Sequence, residues 1–181
     1  MIDAPEISVE SVTEFLIDTI LPKLPGNIEK IELSLKPEHS QSFYYHYSHG
    51  LKKHDGNCQR IIHGHRSQIG ISLDGMSMPR LQKQWAEKWQ DIYLATAEDQ
   101  IAASELKHIS AKNDDVCFAY TAAQGYFEMA ISESRCDILP VDTTVECIAQ
   151  HLAEQVKAEY PDKDVKIIAY EGVGKGSISY A

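Results

Sequence analysis

The stretch DVCFAYTAAQGYFEMAIS, residues 115–132, holds two runs rich in strand-forming residues on either side of a turn at Gln124-Gly125. The chain closes on a second such unit, DVKIIAYE and GSISYA around a glycine-rich turn. A tight hairpin forces its two strands to run antiparallel, because a parallel pair needs a long crossover. Helical periods separate these units. MPRLQKQWAEKWQD spaces Leu81, Trp85 and Trp89 four apart behind a first-turn Pro79, and TTVECIAQHLAEQV carries Val145, Ile148, Leu152 and Val156 on one stripe. Antiparallel hairpins flanking helices predict an α+β fold.

Two segments extend this reading toward the N-terminus. SVESVTEFLIDTIL puts Val9, Val12, Phe15, Leu16 and Ile20 on one helical face, and NIEKIELSL alternates Ile31, Leu33 and Leu35 as a half-buried strand does. Val9, Glu10, Leu16, Pro25, Lys30, Ile31 and Tyr44 recur at one constant offset as Val145, Glu146, Leu152, Pro161, Lys166, Ile167 and Tyr180. The echo reads as a duplicated half-unit or, preferably, as the same helix-strand-strand unit used twice. A capping box from Thr143 to Glu146 is expected to open the last helix. No linker is long enough to divide the 181 residues, which read as a single domain.

The chain carries a net charge of −10, which argues against nucleic-acid or anionic-membrane binding. No apolar run reaches the roughly 18 residues of a membrane span. MIDAPEISVE is no secretory signal. The four cysteines, with no CxxC, read as reduced cytosolic thiols, Cys117 and Cys147 as small core residues, and the location as cytoplasmic. Lys52, Lys53, Arg60 and Arg66 form a local cationic patch that suits a small anionic ligand.

That patch surrounds NCQRIIHGHRSQIGI, residues 57–71. His63 and His65 lie two apart in a strand and leave the sheet on one face. Their imidazoles can converge on one ion, and His49, on the preceding strand candidate SFYYHYSH, supplies a third ligand. His46 and His54 read as exposed bystanders. Cys58 either closes the site as a fourth ligand or stays beside it as a thiolate base; a plain loop cysteine is the bland alternative. GVGKGS departs from the spacing of a nucleotide-binding loop, with no room for a helix after it. Glu171, at a strand end before that turn, can accept two hydrogen bonds from an N–C–N edge, or simply be solvated.

YSHGL, then Cys58, then HGH, then TTVECIA ahead of a helix, then YEGVGKGSISY, together resemble the 6-pyruvoyltetrahydropterin synthase / 6-carboxytetrahydropterin synthase family. The resemblance implies a tunnelling fold: a four-stranded antiparallel sheet with two helices on one face, assembled into a ring-like homo-oligomer such as a hexamer. The helix and strand within about residues 1–38, and a middle insertion of about 92–139, lie outside the family's pattern. The resemblance also implies Zn2+ on His49, His63 and His65, a catalytic Cys58, a pterin-anchoring Glu171 and a substrate contact near Thr144. The substrate would be 7,8-dihydroneopterin triphosphate, its triphosphate held by basic residues such as Arg60 and Arg66. The product would be a 6-pyruvoyl- or a 6-carboxytetrahydropterin, the latter on the route to a deazapurine tRNA base.

The chain departs from that pattern after the middle helix. WQDIYLATAEDQIAASELKHIS lacks the family's Asp-His pair, leaving His108 as the expected second acid/base, with Asp99 or Asp114 as its support. Two further readings therefore stand beside the enzyme: a diverged, non-catalytic zinc- and pterin-binding relative, and a structural zinc domain closed by Cys58.

Overall fold

The computed structural model describes residues 9–34, 44–54, 56–172 and 174–181. The chain divides into two compact units, Met1–His39 and Ser40–Ala181. In the first, α1 runs Val9–Ile20 and tightens into a 3-10 turn at Leu21–Lys23. The strand expected next does not form. Residues 28–34 have no regular structure, and Leu35 lies outside the described residues. Ile31 and Leu33 still alternate in exposure, but alternation does not supply the neighbouring strand that backbone N–H and C=O groups need. The internal echo is thus shared at the level of the helix and not of the first strand.

The second unit is α+β. Its elements in chain order are β1 (Tyr44–His49), β2 (His63–Leu73), β3 (Met76–Ser77), α2 (Pro79–Lys88), β4 (Gln90–Thr96), β5 (Gln100–Ile101), β6 (Asp115–Ala122), β7 (Gly125–Ser132), β8 (Cys136–Leu139), α3 (Val145–Glu159), β9 (Val165–Gly172) and β10 (Lys175–Tyr180). The main sheet has the order β10-β9-β2-β1-β4-β8, with β3 folded back on β2. Its β10-β9-β2-β1 portion is the four-stranded antiparallel sheet that was expected. The full sheet is wider and mixed, because β4 pairs parallel to β1 and β8 parallel to β4. The chain reaches these positions by crossovers, through α2 and then through a separate three-stranded sheet, β5-β6-β7. Residues 92–139, expected to lie outside the family's pattern, thus give strands to the main sheet near both of their ends and form the smaller sheet between them.

Both helices lie on one face of the main sheet. Tyr45 and Tyr47 of β1, Ile69, Ile71 and Leu73 of β2, and Val165, Ile167 and Ala169 of β9 meet Leu81 and Trp85 of α2 and the Val145, Ile148, Leu152 and Val156 stripe of α3 in one core. Each fully buried aliphatic side chain there contributes about 1.5–3 kcal/mol. Trp89 ends α2 with no exposed surface, and its Nε1 donates to Asp137 at 2.8 Å. On β4 and β8 alternate residues face the other way: Tyr93, Ala95, Cys136 and Ile138 pack with Phe118, Val116, Met129 and Ile131 of the smaller sheet. Cys117 is buried as expected; Cys147 is only half-buried.

The start of α3 differs from the expected capping box. Thr144, not Thr143, caps the helix, accepting the Cys147 N–H at 3.3 Å. Thr143 sits one residue earlier and is wholly buried.

Candidate metal centre

The period-two alternation of β1 sends Tyr45, Tyr47 and His49 inward. The antiparallel register sets His49 opposite His63 and Tyr47 opposite His65. The three imidazoles therefore share the helix-covered face, with ring centroids 4.4 Å (His49–His63), 5.1 Å (His49–His65) and 5.2 Å (His63–His65) apart. One nitrogen from each lies within 4.8 Å of the others, a spacing that could hold a metal ion. The Cys58 thiol is not part of that group, so among the described residues the cluster is three nitrogens rather than a closed four-ligand cage.

Two of the rings have their tautomer set from outside the cluster. Nδ1 of His49 lies 2.8 Å from the Thr143 carbonyl and 2.9 Å from its hydroxyl. A carbonyl only accepts, so Nδ1 carries the proton and Nε2 keeps its lone pair. Nδ1 of His65 likewise donates to the Glu171 carbonyl at 3.0 Å. Among the described residues, the buried Nε2 of His49 and both nitrogens of His63 have no hydrogen-bond partner; the Arg60 backbone comes near His63 without hydrogen-bonding geometry. Buried, unpartnered imidazole nitrogens cost free energy unless something occupies them. Burial first, then His63 and His65, hold the His49 imidazole down to about 3. Burial and His65 likewise lower His63. Neutral imidazoles with lone pairs converging on one point are the donor set of a divalent transition metal.

Around the cluster, Tyr47 packs against His49 and His65 with its buried hydroxyl unpartnered among the described residues. Burial, then the charge of Glu171, raises that phenol well above its usual range. The Glu171 carboxylate closes on the Lys175 ammonium across the final turn. Lys175 is held above its usual value by Glu171 first, and further by Cys58 and Glu146. Cys58 itself is half-buried, in a 3-10 turn at Gly56–Gln59 within the loop joining β1 to β2. The structure thus gathers His49, His63, His65 and Glu171, and sets Cys58 and Lys175 at the same edge.

Other expected residues lie elsewhere. His108 is exposed in the connection between β5 and β6, its backbone N–H donating to Glu128 of β7 at 2.6 Å and its ring beside Tyr126; none of these contacts reaches the three histidines. Neither acid expected to support it does so. Asp99 pairs with Lys52, and Asp114 accepts from Ser132. Strand alternation that turns His65 inward turns Arg66 outward. Arg66 stacks on Tyr44 at 4.7 Å and, with His46, Asp91 and Arg135, lines an open cleft of about 430 Å3 on the reverse face. Lys52 and Lys53 are taken by Asp99, Glu98 and Asp142. Among the described residues Arg60, which is exposed, makes no ion pair. Thr144 uses its hydroxyl on the helix cap.

Thr143 and Lys175 are the site residues that the sequence concealed. The consecutive threonines before α3 carried a signal, since only one of them can be the cap. Lys175 sits inside a glycine-rich run that reads as a turn.

No curated protein matches the sequence. A family model described as 6-pyruvoyl tetrahydropterin synthase matches residues 38–173. The fold is similar to a solved structure described as 6-pyruvoyl tetrahydropterin synthase of Plasmodium falciparum, with a TM-score of 0.53 and 15% identity, over 78% of this chain and 93% of that one. The match in family pattern spans β1 to β9 and includes every histidine of the cluster, so the chain belongs to the 6-pyruvoyl tetrahydropterin synthase family.

Proposed function

We propose that the chain is a zinc enzyme that converts 7,8-dihydroneopterin triphosphate either to 6-pyruvoyltetrahydropterin with release of triphosphate or to 6-carboxytetrahydropterin with release of triphosphate and acetaldehyde. The observation that carries this reading is the trio of inward imidazoles, two of whose tautomers are set from outside the cluster, His49 by Thr143 and His65 by Glu171. His49, His63 and His65 hold the zinc, which supplies a Lewis acid for the hydroxyls of the substrate side chain and so acidifies the neighbouring C–H bonds.

The rest falls to the side chains around it. The Glu171 carboxylate, fixed at the end of β9, accepts from the N–C–N edge of the pterin, a role in which Lys175 is its competitor. Cys58 takes a proton from a side-chain carbon, and the C–O electron pair leaves with triphosphate. Arg60, exposed and unpaired among the described residues, is the available cation for that leaving group. His108, by its contacts, belongs to the smaller sheet, so Cys58 is the acid/base group this reading rests on. The same family reading predicts a homo-oligomer.

The test is turnover of 7,8-dihydroneopterin triphosphate by the zinc-loaded protein, with product identified by mass spectrometry. Triphosphate and a tetrahydropterin are expected, and Cys58→Ala is expected to abolish both while keeping zinc. If zinc-loaded protein binds the pterin but releases nothing, the chain is a binding relative. X-ray absorption at the zinc edge should show nitrogen and light oxygen neighbours; a sulfur neighbour near ~2.3 Å would mean a closed structural site instead.

A further inference from the structure

The smaller sheet reaches back to the loop that carries Cys58. Tyr120 of β6 is buried, and its hydroxyl donates to the Gln59 carbonyl at 2.9 Å. The Gln59 side chain, also buried, accepts from the Gln124 N–H at 3.1 Å in the β6–β7 turn. Tyr93, on the β4 face that the smaller sheet covers, donates to the Ile61 carbonyl at 2.8 Å. From the other side, the Leu51 N–H donates to the carbonyl of Cys58 itself at 2.9 Å. Gly50 is where these parts crowd together: a Cβ there would meet the Tyr120 hydroxyl and would lie 2.7 Å from the Ile61 carbonyl oxygen.

We propose that the β5-β6-β7 sheet, together with Tyr93 of the β4 face it covers, is a positioning element for the Cys58 loop: Tyr120 fixes the Gln59 carbonyl and Tyr93 the Ile61 carbonyl, so that the thiol is held toward the histidine cluster. The proposal rests on the reading of Cys58 as the proton-transfer group. A 3-10 turn of four residues has little intrinsic stability and is held by what it touches. Here the residue next to Cys58 is held at both its carbonyl and its side chain, by groups from one hairpin. Both phenols are buried, and burial raises them above their usual range, so they are donors at neutral pH.

Tyr120→Phe keeps the ring and removes the donor. In the zinc-loaded, full-length protein, peptide-resolved alkylation by iodoacetamide should become several-fold faster at Cys58 while Cys147 keeps its wild-type rate. Burial raises the thiols of Cys117 and Cys136, the latter to about 12, so neither competes near neutral pH. With dihydroneopterin triphosphate, kcat should fall by about tenfold while KM stays within about twofold, as expected for a misplaced proton-transfer group. An unchanged Cys58 rate overturns the proposal, as does a parallel rise at all the cysteines, which would be general loosening. Faster alkylation with wild-type kcat overturns the claim that the hold serves the chemistry. If wild type does not turn over the pterin, the catalytic reading fails, and the alkylation contrast alone decides whether the sheet holds the loop. Tyr93→Phe tests the second tether where Tyr120→Phe folds poorly.

Discussion

Nδ1 of His65 donates to the backbone carbonyl of Glu171 across 3.0 Å, so the residue whose carboxylate closes on Lys175 also sets the tautomer of a ring in the histidine cluster. Histidine orientation and carboxylate position are thereby tied to the same end of β9. A substitution of the Glu171 side chain leaves the carbonyl in place, which separates the two roles experimentally.

Glu171→Gln should keep metal and weaken binding of a dihydropterin by about tenfold or more, because the amide puts an NH2 donor where the second carboxylate oxygen would accept from the donor edge of the pterin. Lys175→Ala should act in the opposite direction. The ammonium is largely exposed, and water screens pairs of that kind, so removing it should tighten pterin binding by no more than a few-fold. Fluorescence titration of both variants with neopterin measures the pair; weaker binding by Lys175→Ala would show that the ammonium helps to hold the ligand.

Thr143→Val removes the hydroxyl 2.9 Å from Nδ1 of His49 and keeps the shape and the carbonyl. The ring loses one of its two partners, so metal affinity should fall by about tenfold, near the lower end of such effects. Competition with a chromogenic chelator reads this directly. An effect as large as that of His49→Ala would mean that the carbonyl alone does not orient the ring.

Glu128 gives a local pH dependence. Desolvation raises its pKa, but N–H bonds from Lys107, His108 and Ile109 and the Tyr126 hydroxyl outweigh it and hold it below the usual carboxylate value of 4.5. A carboxylate depressed in the folded state contributes its full stabilisation above the unfolded value and loses it as pH falls through the folded one. The segment around His108 should therefore stay closed at neutral pH and open only as pH falls below the usual carboxylate value of 4.5. Amide exchange at these three N–H groups should rise as pH falls through that window, beyond the intrinsic trend. Glu128→Gln should open the segment already at pH 7.

Gly50→Ala should destabilise the fold by about 1–3 kcal/mol, since the added methyl meets a hydroxyl and a backbone oxygen that cannot both move aside. Combined with Tyr120→Phe the loss should be less than additive, because the phenylalanine removes one of the two obstacles. Urea unfolding of the single and double variants gives the coupling.

The α+β class, both later helices and the histidine trio were legible because each rests on local periodicity: two for His63 and His65, close to 3.6 for the α3 stripe. The strand at 27–35 was misread for the same reason in reverse. Ile31 and Leu33 alternate correctly, yet strand formation depends on a partner that no local pattern encodes. Parallel pairing of β4 with β1 and of β8 with β4 has no local signature, because hairpin turns specify only antiparallel neighbours. Arg66 was grouped with the site by proximity in sequence, although its even position beside His65 already placed it on the other face. Thr143 was hidden by a cap motif that its neighbour fulfils.

His63, His65, Ser67, Ile69, Ile71 and Leu73 are successive odd positions of one unbroken strand. The register that seats the isoleucines under the helices is the register that delivers the imidazoles to His49. A slip by one residue would expel both sets together. The histidine cluster therefore comes with the folded core and not as a separate achievement: variants that lose the cluster's geometry without losing the fold should be confined to the ligands and the groups that orient them. Length changes inside β2 should cost structure and metal together.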